Sequence, residues 1–384
     1  MKPRERIMKA LQHEEPDRVP IDIGTAVTSI HMEAYMRLKE YLGLGRTPPR
    51  ILDPVQQVVE LEEPVLRRFK VDTRLIRLRA QRDWVKLPKG NFVDEWGIKY
   101  TKPVSSHYYD MYEYPLAQAT VEDLDSYEWP DPTHLRRLKG LREKARRLHE
   151  DTDYAVVLEG FSECLFGLPS WLRGHAQFYM DLISNSQFAS LLLDRLLDYE
   201  IKLTKHALGQ IGNFIDVVRV SDDLGTERGP IISPDLYRRM IKPRQKKLYK
   251  VIKENSHAKI LLHSCGSVYK LIPDFIEIGV DALNPVQLTA KDMGDSAKLK
   301  REFGDTLTFW GGGCDTQRVL PFGTLEEVRE EVKRRIKDLA PRGGFVFAPV
   351  HNIQPDVGPE KICTLYDAAL DFGRYPINET PSSY

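Results

Sequence analysis

No stretch of this sequence approaches the ~20 consecutive apolar residues that a membrane-spanning helix needs. The opening MKPRERIMKALQHEEPDRVP is charged from its second residue and has no apolar centre of the kind a secretion signal carries. An excess of one charge is also missing, since lysine plus arginine equals aspartate plus glutamate at 56 each. Without a basic surplus, neither nucleic acid nor an anionic membrane is expected as a bulk partner. A small molecule or another protein is. Cysteine is scarce: Cys164, Cys265, Cys314 and Cys363 are the four in 384 residues. They are too few for a disulfide framework and predict a reducing, cytoplasmic setting. No short-period repeat occurs, and no G-x-G-x-x-G follows the first strand candidate, which argues against a dinucleotide-binding sheet.

What the chain does have is alternation. Strand candidates fall at Val19–Gly24, Val71–Leu78, Tyr154–Leu158, Phe214–Ser221, Ile260–Leu262, Val280–Asn284, Leu307–Trp310 and Gly344–Ala348. Between them lie runs with helical spacing. Met1–Gln12 puts Ile7, Ala10 and Leu11 on one side, and His31–Leu42 is amphipathic. Val55–Phe69 is expected to kink near Pro64, and Asp181–Ile211 is long. Thr324 and Glu327 form a capping box before Leu325, Val328, Val332, Ile336 and Leu339, and a last helix runs from Pro359 to a stop at Gly373. Eight strands alternating with helices predict a single (β/α)8 TIM barrel spanning residues 1–384. The alternation lapses once, between Arg82 and Pro115, where β-rich runs and turn signals predict an antiparallel excursion. With the acid- and proline-rich linker Thr120–Pro132 it makes an insertion of about residues 80–132. Trp96, Tyr100, Tyr108, Tyr109, Tyr112 and Tyr114 lie in it; they either roof a pocket for a flat ligand or pack across strands.

The chemistry concentrates at Lys259–Gly266, KILLHSCG. Side chains two apart on a strand share a face, so His263 and Cys265 project together from the end of an apolar strand. Alone, such a pair is equally a small buried thiol and an imidazole bonded to a carbonyl. A second cysteine tips the balance: Gly311, Gly312 and Gly313 turn the backbone after another apolar strand to place Cys314. The ends of parallel strands share one rim, and His263, Cys265 and Cys314 there have the composition of a catalytic zinc site with one open position. The rest of the rim would carry Glu159, Asp222, Asp223, Asn284, His351 and Asn352. Glu159, Asp222 and Asp223 are the candidate catalytic carboxylates, and Asn284, His351 and Asn352 the candidate substrate contacts. The aspartate pair is open to other roles: a weak fourth metal ligand, a partner for His263, or a cap on the loop before Gly225. Cys164 and Cys363 lie on apolar segments and are expected to be structural.

Four segments together resemble the uroporphyrinogen decarboxylase superfamily: RERIMKAL…PDRVP, DDLG…ISPDLYRRMIKP, LLHSCG with the distant Cys314, and the closing GPEK helix. More closely they resemble its cobalamin-dependent methyltransferase branch, whose zinc motif His263, Cys265 and Cys314 match. The resemblance covers nearly the whole chain. It implies a (β/α)8 barrel that uses zinc and moves a methyl group between a small substrate and the cobalt of a separate corrinoid protein. No D-x-H-x-x-G run of a cobalamin module occurs in this chain, so that corrinoid would be a partner's. The decarboxylase branch has an arginine-rich stretch after its first strand. Here IDIGTAVTSIHMEAYMR has no arginine between Arg18 and Arg37, which counts against porphyrinogen decarboxylation. Thiol-methylating members are expected to have a glutamate near the end of the fourth strand. The acidic pair found here instead suits protonation of an oxygen leaving group, and so O-demethylation.

Overall fold

The computed structural model describes residues 1–161 and 165–377, and Cys164 lies outside them. Two short strands, β1 (Ile51–Asp53) and β2 (Val58–Val59), pair antiparallel ahead of β3 (Thr73–Arg77). A four-stranded antiparallel sheet follows, made of β4 (Val85–Lys86), β5 (Phe92–Val93), β6 (Lys99–Thr101) and β7 (Asp110–Glu113). Next come β8 (Ala155–Glu159), β9 (Val217–Ser221), β10 (Lys259–His263), β11 (Ala282–Asn284), β12 (Thr308–Trp310) and β13 (Phe345–Val346). These join β3 in a parallel sheet ordered β3-β8-β9-β10-β11-β12-β13. Residues 20–22 supply the eighth stave. Asp22 N–H donates to the Phe347 carbonyl and Phe347 N–H to that of Pro20; on the other side, Asp72 N–H donates to Ile21. The sheet closes, and the fold is the (β/α)8 barrel with the antiparallel excursion after its second strand.

Closure is held by charge. Arg6 reaches Asp17 at 2.7 Å and the fully buried Asp72 at 2.5 Å, while Arg18 reaches Asp72 at 2.8 Å. Asp72 also accepts the Ile21 N–H at 2.8 Å. One buried carboxylate thus ties the N-terminal helix (Pro3–Leu11), the first stave and β3 together. Two arginines and a backbone donor compensate its desolvation.

The period of two along each strand divides the barrel interior into layers. Its lower part is apolar: Ala155, Val157, Val217, Leu261, Ala282 and Val346 cluster with Ile7, Ala10 and Leu11 of the first helix, which plugs that end. Two residues further along the same faces the side chains become polar, with Glu159, Arg219, His263 and Asn284 all buried. The polar layer lies at the carboxyl ends of the strands.

Three expectations change in detail. The first stave is a bridge-paired segment and not a full strand: Ile21 bridges Phe347, and Gly24 shortly after takes φ +111°. Residues 55–69 are not one kinked helix. The β-branched Val58 and Val59 pair with β1, and Pro64 sits in the first turn of a short helix, Glu63–Arg68, where its missing N–H is harmless. The long helical run divides at Asn185 into His175–Ser184 and Ser186–Ile211. The capping box forms as expected: Thr324 N–H donates to Glu327 at 2.7 Å and Glu327 N–H returns to Thr324 at 3.2 Å. No helix among the described residues is long and apolar enough to cross a membrane.

Candidate active site

His263 ends β10 with its ring in the polar layer, paired in register with Asn284 of β11 and Ser221 of β9. Its tautomer follows from its neighbours. The Asn284 Nδ2 donates to the Trp310 carbonyl at 2.7 Å, so Oδ1 is the amide atom that faces His263. His263 Nδ1 lies 2.6 Å from that oxygen and must carry the proton. Nε2 is left with a lone pair, 3.4 Å from the Cys265 sulfur and 3.7 Å from Asp223 Oδ1. Burial, then the charge of Arg219, pushes the His263 pKa down to about 3, which keeps the ring neutral.

Among the described residues, His263, Cys265 and His351 have ligand atoms that all lie within 4.8 Å of one another. The rings of the two histidines are 5.8 Å apart. Burial, with His263 alongside, takes His351 down to about 4, so two neutral imidazoles face one sulfur. The backbone beneath is tightly held. Gly266 has φ +84°, and a Cβ on it would run into the backbone of Gly225, so the DDLG and HSCG loops touch main chain to main chain. Asp223 is positioned by the same contact, accepting the Cys265 N–H at 2.7 Å.

The predicted site residues therefore separate. His263, Cys265, His351 and Asp223 converge. Cys314 does not join their ligand atoms: its thiol is fully buried in the apolar core, 3.9 Å from the Asp315 carbonyl, and burial raises its pKa. The turn that carries it is nonetheless as tight as expected, with Gly311 at φ +100° and Gly312 at +84°. Asp222 faces away from the cavity. One of its oxygens accepts the backbone N–H groups of Leu165, Phe166 and Gly167, and the other accepts from Gln245 at 2.8 Å. It holds the backbone of residues 165–167 in place. Asn284 orients His263. Asn352 clamps the 26–29 segment, accepting the Ser29 N–H at 2.7 Å and donating to the Ala26 carbonyl at 2.8 Å. Glu159 accepts the Ala26 N–H and pairs with Arg219 at 2.6 Å. His351 was legible only as a polar residue past the last strand; its approach to His263 comes from barrel closure.

Above this cluster lies a cavity of about 330 Å³. His263, His351, Asp223 and Arg219 form part of its wall, and Trp84, Trp96, Tyr100 and Met111 of the excursion close over it. Asp223 is half-exposed, its side chain 48% open, and it lines this space. Of the six aromatic residues singled out in the insertion, Trp96 and Tyr100 meet the cavity. Tyr109 instead packs on Phe92, and Tyr108 on the edge of His31.

The sequence profile of uroporphyrinogen decarboxylase (URO-D) matches residues 111–372, most of the chain. The chain belongs to the URO-D family. A uroporphyrinogen decarboxylase of Alkalilimnicola ehrlichii is 22% identical over 374 residues, 95% of this chain and 93% of that protein. Among solved structures, a methyltransferase from Methanosarcina mazei superposes with a TM-score of 0.64 at 19% identity, covering 97% of this chain and 99% of that one. That likeness establishes the shared fold. Within the URO-D family frame, the cavity and the His–Cys–His cluster occupy the carboxyl ends of the barrel strands, where barrel enzymes carry their chemistry.

Proposed function

We propose that this URO-D family member is a zinc-dependent methyltransferase that moves a methyl group between a small methylated substrate and the corrinoid of a partner protein. The observation that carries the reading is the lone pair of His263 Nε2, fixed by Asn284 and aimed at the Cys265 sulfur beside His351. Ligand atoms about 2.0–2.3 Å from a tetrahedral zinc stand roughly 3.3–3.8 Å apart, so a spread of 4.8 Å closes with small side-chain turns. Two nitrogens and one sulfur suit zinc better than magnesium or calcium, which take oxygen shells. The three residues in place to hold it are His263, Cys265 and His351. Cys314, which the sequence motif points to, would have to turn out of the core to serve.

Zinc bound there would supply Lewis acidity towards an ether oxygen or hold a thiol as thiolate. The protein's own groups do the rest. Asp223 spends Oδ1 on the Cys265 N–H and is the carboxylate facing the cavity from the cluster, so it is placed to hand a proton to a departing oxygen. In O-demethylation the electron pair of the broken C–O bond remains on that oxygen, and the methyl group goes to the corrinoid. The aromatic cover offers flat surfaces. A cavity of 330 Å³ lies at the small end of ligand pockets, about 300–1,000 Å³, and fits a single-ring substrate better than a tetrapyrrole.

The test is metal content followed by turnover. Wild-type protein should carry about one zinc per chain and Cys265→Ala little. Loaded protein should demethylate a methoxylated compound in the presence of a reduced corrinoid protein. Protein that takes up no zinc under reducing conditions, or that decarboxylates an acid with Cys265 replaced, would return the chain to metal-free decarboxylation.

A further inference from the structure

Arg219 is a cation that the cluster chemistry leaves unused. It points inward from β9, is 6% exposed, and lines the cavity that also holds His263, His351 and Asp223. Its Nε lies 2.6 Å from Glu159 Oε1, but the approach is off-line, and neither Nε nor Nη1 has a hydrogen-bond acceptor. A buried guanidinium with unspent donors is costly unless an anion completes it. The other carboxylates of the wall each have a contact of their own. Asp53 accepts the Val55 and Gln56 N–H groups, Asp94 those of Trp96 and Ile98, Glu95 pairs with Arg137, and Asp223 accepts from Cys265. Among the described residues none supplies the missing acceptor.

We infer that Arg219 is the carboxylate anchor of the substrate site, and that the substrate is a small aromatic acid. The guanidinium fork matches a carboxylate geometrically, and Trp84, Trp96, Tyr100 and Trp171 line the same cavity as flat surfaces for a ring. The inference deepens the methyltransferase reading and rests on it only for where the methyl group sits: with the carboxylate at Arg219, the far side of the ring would present its methylated substituent to the His263 cluster. It also reconciles an absence with a presence. The first stave lacks arginines, and the acid-binding charge lies instead on β9.

Calorimetric titration of the full-length protein with benzoate and with its neutral isostere benzamide tests this without zinc or corrinoid. Benzoate should bind roughly tenfold or more tighter, the difference a charge-assisted pair commonly makes. Arg219→Gln combined with Glu159→Gln, which leaves no charge unpaired, should bring the two ligands to within about twofold. Arg219→Lys keeps the charge but loses the fork; it should weaken benzoate several-fold, leave benzamide unchanged, and serve if the double variant fails to fold. Equal binding of the two ligands by wild type, no benzoate binding, or discrimination that survives the double variant would overturn the anchor. None of those results bears on zinc content or methyl transfer, and a failure of methyl transfer would leave benzoate selectivity intact.

Discussion

Oδ1 of Asn284 receives the Nδ1 proton of His263 at 2.6 Å, and that single contact decides which imidazole nitrogen faces the cavity. Replacing Asn284 with alanine frees the ring to rotate and exchange tautomers. Zinc affinity should fall about 10- to 100-fold, the usual range for a lost orienting partner. Competition with a chromophoric chelator measures it, and unchanged affinity would remove Asn284 from the site.

The third ligand is decided by two variants. From the geometry, His351→Ala should lose most of its zinc while Cys314→Ala retains it, because the Cys314 thiol packs in the apolar core. Elemental analysis of the two purified proteins gives the answer. The reverse pattern would assign the ligand to Cys314.

Neighbouring aspartates should behave in opposite ways. Asp222→Ala strands three backbone donors and the Gln245 amide, and should cost roughly 2–4 kcal/mol in urea denaturation. Asp223→Ala gives up one backbone contact. It should fold with nearly wild-type stability yet lose about 10²- to 10⁴-fold in turnover, the range for a general acid. Equal stability losses would mean that both residues are structural.

Burial raises Asp94 from 3.8 to about 6, against hydrogen bonds from Ile98, Tyr100 and Trp96. The folded chain therefore binds this proton more tightly than the unfolded chain does. Below about pH 4 both states hold the proton, and above about pH 6 neither does. Stability relative to Asp94→Asn should fall by about 3 kcal/mol as pH rises through that window. Denaturation of both proteins from pH 4 to 7 checks it; a difference independent of pH would refute the shift.

The alternation of strands and helices was legible because burial on both faces of a parallel strand leaves an apolar run that survives in one dimension. So were His263 and Cys265, two apart at the end of one apolar strand. Less legible was anything set by closure. His351 and His263 meet because the first stave joins β13 to β3, and sequence spacing carries no record of that ring. Asp222 and Asp223 differ by one residue, and on a strand end that step turns a carboxylate from the cavity to the loop behind it. Arg219 escaped notice because a single arginine inside an apolar strand reads as interruption; only the layered interior gives it a direction. Pro64 misled because proline within a helical pattern suits both a kink and a first turn.

The first helix, whose Ile7, Ala10 and Leu11 fill the closed end of the barrel, also dictates an order of events. Its docking site is complete only once β13 is in place, because its cluster includes Val346 and Ala348 as well as Ala155 and Val217. Its apolar face must wait, exposed or chaperoned, while the remaining staves assemble. A barrel built this way is sealed by a helix that needs strands from both halves of the sheet, which makes its docking a late folding step.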